Sequence, residues 1–256
     1  MMADVWDPEQ YARFQRERSQ AFFDLAELVR WRPAMRVVDL GCGTGELTRV
    51  LHERLAADET VGLDSSPAML ERAAAHAGGG VRFERGDIAS WRGERLDLVF
   101  SNAALHWVED HPALFARLRA ALGPNGQLTV QVPANHDHPS QIVAQEIARE
   151  APFAEALGGW VRRSPVLGPA AYAELLHGLG AREQVVQLRV YGHNLPSRDA
   201  VAEWLKGTTL TDYQRRLPED LYAGFLARYE ERLRGRLPDT RPYYFTFQRV
   251  LMWAAW

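Results

Sequence analysis

The chain has 256 residues, is 46% hydrophobic and 25% charged, and carries a formal net charge of −3. Such a composition fits one large core with an inserted or appended cap. It shows no basic nucleic-acid signature and no run of 18 apolar residues that would mark a membrane-spanning helix. Cys42 is the only cysteine, so no internal disulfide can form, as suits a reducing compartment. The opening Met1-Met-Ala-Asp-Val-Trp-Asp-Pro8 is polar and acidic without a secretory pattern, and a cytoplasmic location is expected. Lys206 is the only lysine among 30 basic residues, so an anionic ligand would meet guanidinium groups, whose planar forks pair carboxylates bidentately.

Residues 8–30 read as a helix, with Asp7 as cap and Pro8 at the first turn. Tyr11, Phe14, Arg18 and Phe22 share a face, and the weakly apolar first half suits a flap closing over a ligand. Val37, Val38 and Leu40 then read as a buried parallel strand. Gly41, Gly43 and Gly45 make a bare turn, and Leu47, Val50, Leu51 and Leu55 continue at helical spacing.

A strand, a glycine turn and a helix N-terminus hold a ligand against backbone N–H groups. A dinucleotide fingerprint needs a glycine where this chain has Glu46, an anion unsuited to a pyrophosphate. Asp39, at the strand end, suits a cationic group such as an amino acid's ammonium.

Glu59–Asp64 reads as a second strand, and Asp64 lies 19 residues beyond Gly45, an offset at which a carboxylate accepts from a ribose diol. Ser65 follows, Ser66 caps the next helix, Pro67 opens it, and Met69 falls near a bound ligand or in the core. Val81–Arg85 is a strand followed by the turn Gly86-Asp87-Ile88 at its carboxyl end. Leu96–Ser101 is a strand whose end-loop, Asn102 to Trp107, lies where open α/β sheets take ligands. A helix over 110–122, ended by Gly123-Pro-Asn-Gly126, and a strand over Gln127–Val132 complete this half. Helices are expected near 139–150, 169–179, 198–206 and 219–235, with strands over Gln184–Tyr191 and Tyr243–Trp253. Those two strands fit an antiparallel sheet edge, and the helices between them a cap.

The motif Asp39-Leu-Gly-Cys-Gly-Thr-Gly45 resembles the first motif of class I S-adenosylmethionine-dependent methyltransferases. The resemblance narrows to the trans-aconitate methyltransferases. It is carried by Trp6-Asp-Pro-Glu-Gln-Tyr11, Gly62 to Leu70, Asn102-Ala-Ala-Leu-His-Trp107, Gln131-Val-Pro-Ala-Asn135, His193-Asn-Leu-Pro-Ser197 and Phe247-Gln-Arg249. In that family pattern the position of His106 is often glutamine.

The resemblance implies a Rossmann-like α/β fold with a mostly parallel seven-stranded sheet and one domain over 1–256. Residues 1–30 would be the flap, 31–133 the cofactor half, and 134–256 the cap and closing strands. It implies S-adenosyl-L-methionine as cofactor, S-adenosyl-L-homocysteine as product, and a small polycarboxylate as acceptor. Tyr11, Arg18, Asp39, Gly41, Gly43, Gly45, Asp64, Ser65, Met69, Asp87, Ile88 and Asn102 would hold the cofactor. His106, Trp107, Asn135, His193, Arg241 and Arg249 would hold the acceptor, and Arg18 could also clamp it.

A carboxylate is already ionised at pH 7, so neither a general base nor a metal is expected. Arginines should clamp the spectator carboxylates, leaving the attacking oxygen weaker donors. Alternatives are a malonyl-carrier-protein or other small-acid O-methyltransferase, and a cofactor-binding sensor without transfer activity. No nucleic-acid or membrane partner is expected, and the oligomeric state is open, with a monomer favoured.

Overall fold

A computed structural model of the chain describes residues 15–256, with side chains from Gln20 onward. Tyr11 therefore lies outside the described residues, and Arg18 is described in its backbone alone. Helix α1, Gln15–Ala26, ends before the expected residue 30. The Gln127 side chain explains why. Its Oε1 accepts from the Arg30 N–H at 2.9 Å and its Nε2 donates to the Arg30 carbonyl at 2.8 Å, which takes the chain out of helical geometry.

The elements that follow are β1 (Arg36–Leu40), α2 (Glu46–Leu55), β2 (Glu59–Asp64), α3 (Pro67–Ala73) and β3 (Val81–Arg85). Then come β4 (Leu96–Asn102), α4 (His111–Ala120), β5 (Leu122–Pro133) and α5 (Pro139–Ile147). The C-terminal part holds α6 (Phe153–Ala156), α7 (Pro169–Gly178), β6 (Glu183–Leu195), α8 (Ala200–Lys206), α9 (Thr211–Gln214), α10 (Glu219–Arg236) and β7 (Tyr243–Ala255). The short helices α6 and α9 carry no sequence period long enough to be read.

The expected break over Gly123–Gly126 is part of β5 instead. Leu122 pairs with Leu96 beyond an irregularity in the ladder, and Asn125 takes φ 58° to bring the chain back into the strand.

The sheet order is β3-β2-β1-β4-β5-β7-β6, with β1 to β5 parallel and β7 antiparallel to both neighbours. One strand of the closing pair is therefore reversed, not two: β6 again runs with the parallel set. Helices cover both faces. Phe115, Leu118, Tyr172 and Leu176 pack on one, and Phe22, Leu25, Leu51 and Leu55 on the other. This is the open, doubly covered sheet that near-continuous apolar strands require.

The β6–β7 ladder runs for 13 residue pairs, from Glu183↔Ala255 to Leu195↔Tyr243. At its far end Leu195, Tyr243, Phe245 and Phe247 leave the sheet core and enter a second one with Trp204, Tyr213, Phe225 and Tyr229. That second core is the helical cap. Among the described residues no helix is long and apolar enough to cross a membrane.

Candidate active site

The bend after β1 is tied to the end of β2. The Gly41 and Cys42 N–H groups both donate to the Leu63 carbonyl, at 2.7 and 3.0 Å. Gly41 sits at φ 81°, and a Cβ there would lie 2.2 Å from the Ala104 Cβ. Its missing side chain lets the β4 end-loop close over the bend. Gly43 (φ 56°) would point a Cβ into open space, so its bare face looks onto a cavity. Gly45 differs: a Cβ would stand 2.6 Å from the Phe83 ring, and its role is packing on β3.

Asp64 is oriented by backbone. Oδ2 accepts from the Gly43 N–H and Oδ1 from the Ser66 N–H, both at 2.9 Å. The Ser66 hydroxyl caps α3 by accepting from Met69 N–H at 3.2 Å. Asp39 is buried and accepts from the Thr48 hydroxyl at 2.6 Å. Burial pushes its carboxyl up to about 7, opposed by Thr48 and reinforced by the charge of Asp64.

A cavity of about 1010 Å³ opens at the carboxyl ends of the parallel strands. Of the residues expected at the cofactor, Gly41, Gly43, Asp64, Ser65, Met69, Asp87, Ile88 and Asn102 line it. Asp39 and Gly45 do not: Asp39 is buried against Thr48, and Gly45 packs on Phe83. Through Asn102, Ala103, His106, Trp107 and Arg162 the cavity meets a smaller pocket of about 90 Å³. Ala103 takes φ 57° at this junction, a left-handed turn that carries the chain from β4 into the dividing wall.

The smaller pocket reaches into the cap. Arg249 and Phe247 of β7, Asn135, and Trp204, Thr208 and Thr209 line it. Arg249 is 4% exposed, donates from Nη1 to Gln131 Oε1 at 3.4 Å, and stands 4.7 Å from the Phe247 ring centre. Asn135 uses Oδ1 to accept from the Gln248 N–H at 3.0 Å. Asn102 Oδ1, His106 Nδ1 and Asn135 Nδ2, on residues that line these spaces, are buried with no hydrogen-bond partner among the described residues. Polar atoms left so at a cavity wall are what a polar ligand would satisfy.

Burial, with the charges of Arg162 and Arg249, holds the His106 imidazole well below its ordinary range, so it is neutral at pH 7. The turn that carries His106 is held by His111, whose Nε2 lies 3.1 Å from the Leu105 carbonyl oxygen.

Two expected acceptor residues are elsewhere. His193 is buried against Trp204, ring centres 5.0 Å apart, and lines neither space. Its strand position faces the cap core. Arg241 is exposed just before β7 and lines neither space, since β7 carries the chain inward only from Tyr243.

The sequence reading missed Arg162, which lines both spaces, and Arg149, Arg163, Arg215 and Arg216 around the larger one. They come from separate loops and helix ends. Trp160-Val-Arg-Arg163, after two adjacent glycines in a turn-rich stretch, is the one local signal.

A family model described as a methyltransferase domain matches residues 37–126. Similar proteins include one of Deinococcus radiodurans named trans-aconitate 2-methyltransferase, 48% identical over 253 residues and 96% of both chains. One of Variovorax paradoxus with the same name is 40% identical over 91% of this chain and 90% of its own. Among solved structures, the YcgJ protein of Bacillus subtilis superposes with a TM-score of 0.61 at 16% identity, covering 93% of this chain and 98% of that one. At that identity the likeness is one of fold.

Proposed function

The chain belongs to the trans-aconitate 2-methyltransferase family, and on that premise we propose that it methylates one carboxylate of a small polycarboxylic acid, trans-aconitate, using S-adenosyl-L-methionine. The observation that carries this reading is the buried Arg249 guanidinium in a small pocket that opens onto a large strand-end cavity across the Asn102–Trp107 wall.

The larger cavity fits the cofactor. Asp64, its oxygens already oriented by two N–H groups, would receive a ribose diol. The bare face of Gly43 would admit the amino-acid end, and the orphaned Asn102 Oδ1 would accept from an ammonium. When bound, S-adenosyl-L-methionine supplies an activated methyl group on a sulfonium and leaves as S-adenosyl-L-homocysteine.

The chain's own task is alignment. A carboxylate needs no base, and holding reacting atoms in near-attack geometry can contribute ~7–11 kcal/mol of the barrier. Carboxylates cannot enter a dry pocket unpaired. Arg249 would pair one spectator carboxylate, its position supported by Gln131 and Phe247. His106, being neutral, would offer a donor that orients an oxygen without drawing off its charge. A full cation there would make that oxygen a poorer nucleophile.

A cytoplasmic location belongs to the same proposal, supported by a single buried cysteine with no disulfide partner.

The test is to incubate the protein with cofactor and a panel of di- and tricarboxylic acids and look for a methyl-ester mass shift. Trans-aconitate should give the monomethyl ester. Absence of ester from every acid, with cofactor binding intact by calorimetry, would reject the reading in favour of a sensor.

A further inference from the structure

Arg162 follows α6 in an irregular stretch, outside every motif that carries the family resemblance. Its environment is unlike that of the arginines around it. Arg149, Arg163, Arg215 and Arg216 are exposed, whereas the Arg162 side chain is 14% exposed. Asp212, itself 17% exposed, accepts from Arg162 Nε at 3.0 Å. The guanidinium carbon lies 5.3 Å from the centre of the Trp107 ring. Among the described residues it is the arginine that lines both the cofactor-sized cavity and the smaller pocket.

Two features point outward from this geometry. A guanidinium has two edges for bidentate pairing, one made by Nε with a terminal nitrogen and one by the two terminal nitrogens. Asp212 takes Nε. For Nη1 and Nη2 no hydrogen bond to a described residue is made, and the residue that carries them lines both spaces. The end-on edge is thus presented at the junction. Burying an ion pair this far yields little stability by itself, since desolvation offsets the attraction. A cap that needed stapling is already held by its own aromatic core.

We propose that Arg162 is a specificity-determining residue: held by Asp212 at the junction, it clamps a second spectator carboxylate of the acceptor. Arg249 takes one such group at depth and Arg162 takes the other at the mouth. His106 lines both spaces together with Arg162 and would orient the group that reacts. The site then selects acids with three carboxylates over acids with two. This inference rests on the acid-methylating reading above and adds to it the number of charges the site counts.

The test crosses a residue deletion with a carboxylate deletion. Wild type and Arg162→Gln are assayed with trans-aconitate and with an unsaturated dicarboxylate that lacks one of its carboxylates. A lost charge-assisted pair corresponds to roughly a tenfold or greater rise in KM. Wild type should therefore show about a tenfold or larger KM advantage for the tricarboxylate, and Arg162→Gln should reduce it to about twofold. Binding of S-adenosyl-L-homocysteine, measured by calorimetry, should not change.

Equal losses on both acids, or none, would overturn the role of Arg162 while leaving the methylation reading intact. Failure of wild type to methylate any acid would sink both. Should the glutamine variant fold poorly, Arg162→Lys keeps the charge without the fork. It should retain part of the preference for the tricarboxylate; full retention would reject bidentate clamping.

Discussion

The cofactor half, residues 36–133, and the cap with its closing strands, residues 134–256, build their parts of the site in opposite ways. In the first, the wall is made of bare backbone and strand-end carboxylates: Gly43, Asp64, Asp87 and Asn102 each sit at or just after a parallel strand. In the second, the pocket is reached by charge carried on long side chains from unrelated elements: Arg162 from a loop, held by Asp212 of α9, and Arg249 from β7, separated by tens of residues. A site made of backbone must obey the local geometry of its turn, so it leaves a short motif. A site made of guanidinium groups needs only that their reach converge, and convergence leaves no fixed spacing.

That contrast can be broken first at the bend. Gly41→Ala puts a Cβ 2.2 Å from the Ala104 Cβ and forces an alanine to φ 81°. Overpacking and left-handed strain together should cost about 2–5 kcal/mol of stability and displace the wall that carries His106 and Trp107. Thermal unfolding and turnover should both fall. A variant of wild-type stability and activity would show that the close approach is dispensable.

Next comes the cap. Arg249→Ala should raise acceptor KM about 30-fold or more, by loss of a buried charge partner, while cofactor affinity by calorimetry stays unchanged. Equal damage to both ligands would mean that the two halves are not separable.

A pH-dependent effect separates Asp39 from the residues that line the cavity. Its folded pKa, about 7, lies above the ordinary 3.8, so the folded state holds its proton more tightly than the unfolded chain. The associated stability is fully present below about pH 4 and is lost as pH rises to about 7. Asp39→Asn should therefore gain stability relative to wild type across that window and level off above it. Denaturant midpoints for both proteins at intervals from pH 4 to 8 would show this. His106, His111 and His138, all depressed by burial, act in the opposite sense and are common to both proteins, so the difference isolates Asp39.

The smallest effect is a null. Arg241→Ala, exposed and away from both spaces, should leave KM unchanged and stability within about 0.5 kcal/mol. A raised KM would return Arg241 to the pocket.

How legible the site was follows the same division. Asp64 was readable because a strand-end acid at a set distance from a glycine turn has one place to go. Ser66 as a cap and Pro67 at the first helical turn were readable because the α3 terminus satisfies its donors locally. His193 and Arg241 were expected at the acceptor from motif likeness, and tertiary packing put one against Trp204 and the other in solvent. Gly45 was expected to face the ligand with its neighbours, but the Phe83 ring occupies that side.

The amino-acid order by itself determined the strand–glycine–helix unit, the run of parallel strands and the class of cofactor chemistry, because buried strands and tight turns restrict which residues can stand where. The tertiary structure alone decided that β7 inserts between β5 and β6 and carries Arg249 inward, that the far end of this ladder becomes the core of a second lobe, and that Arg162 meets Asp212 at the junction. Those outcomes depend on contacts between residues far apart in the chain, and such contacts are set by how surfaces bury each other, not by the spacing of neighbours.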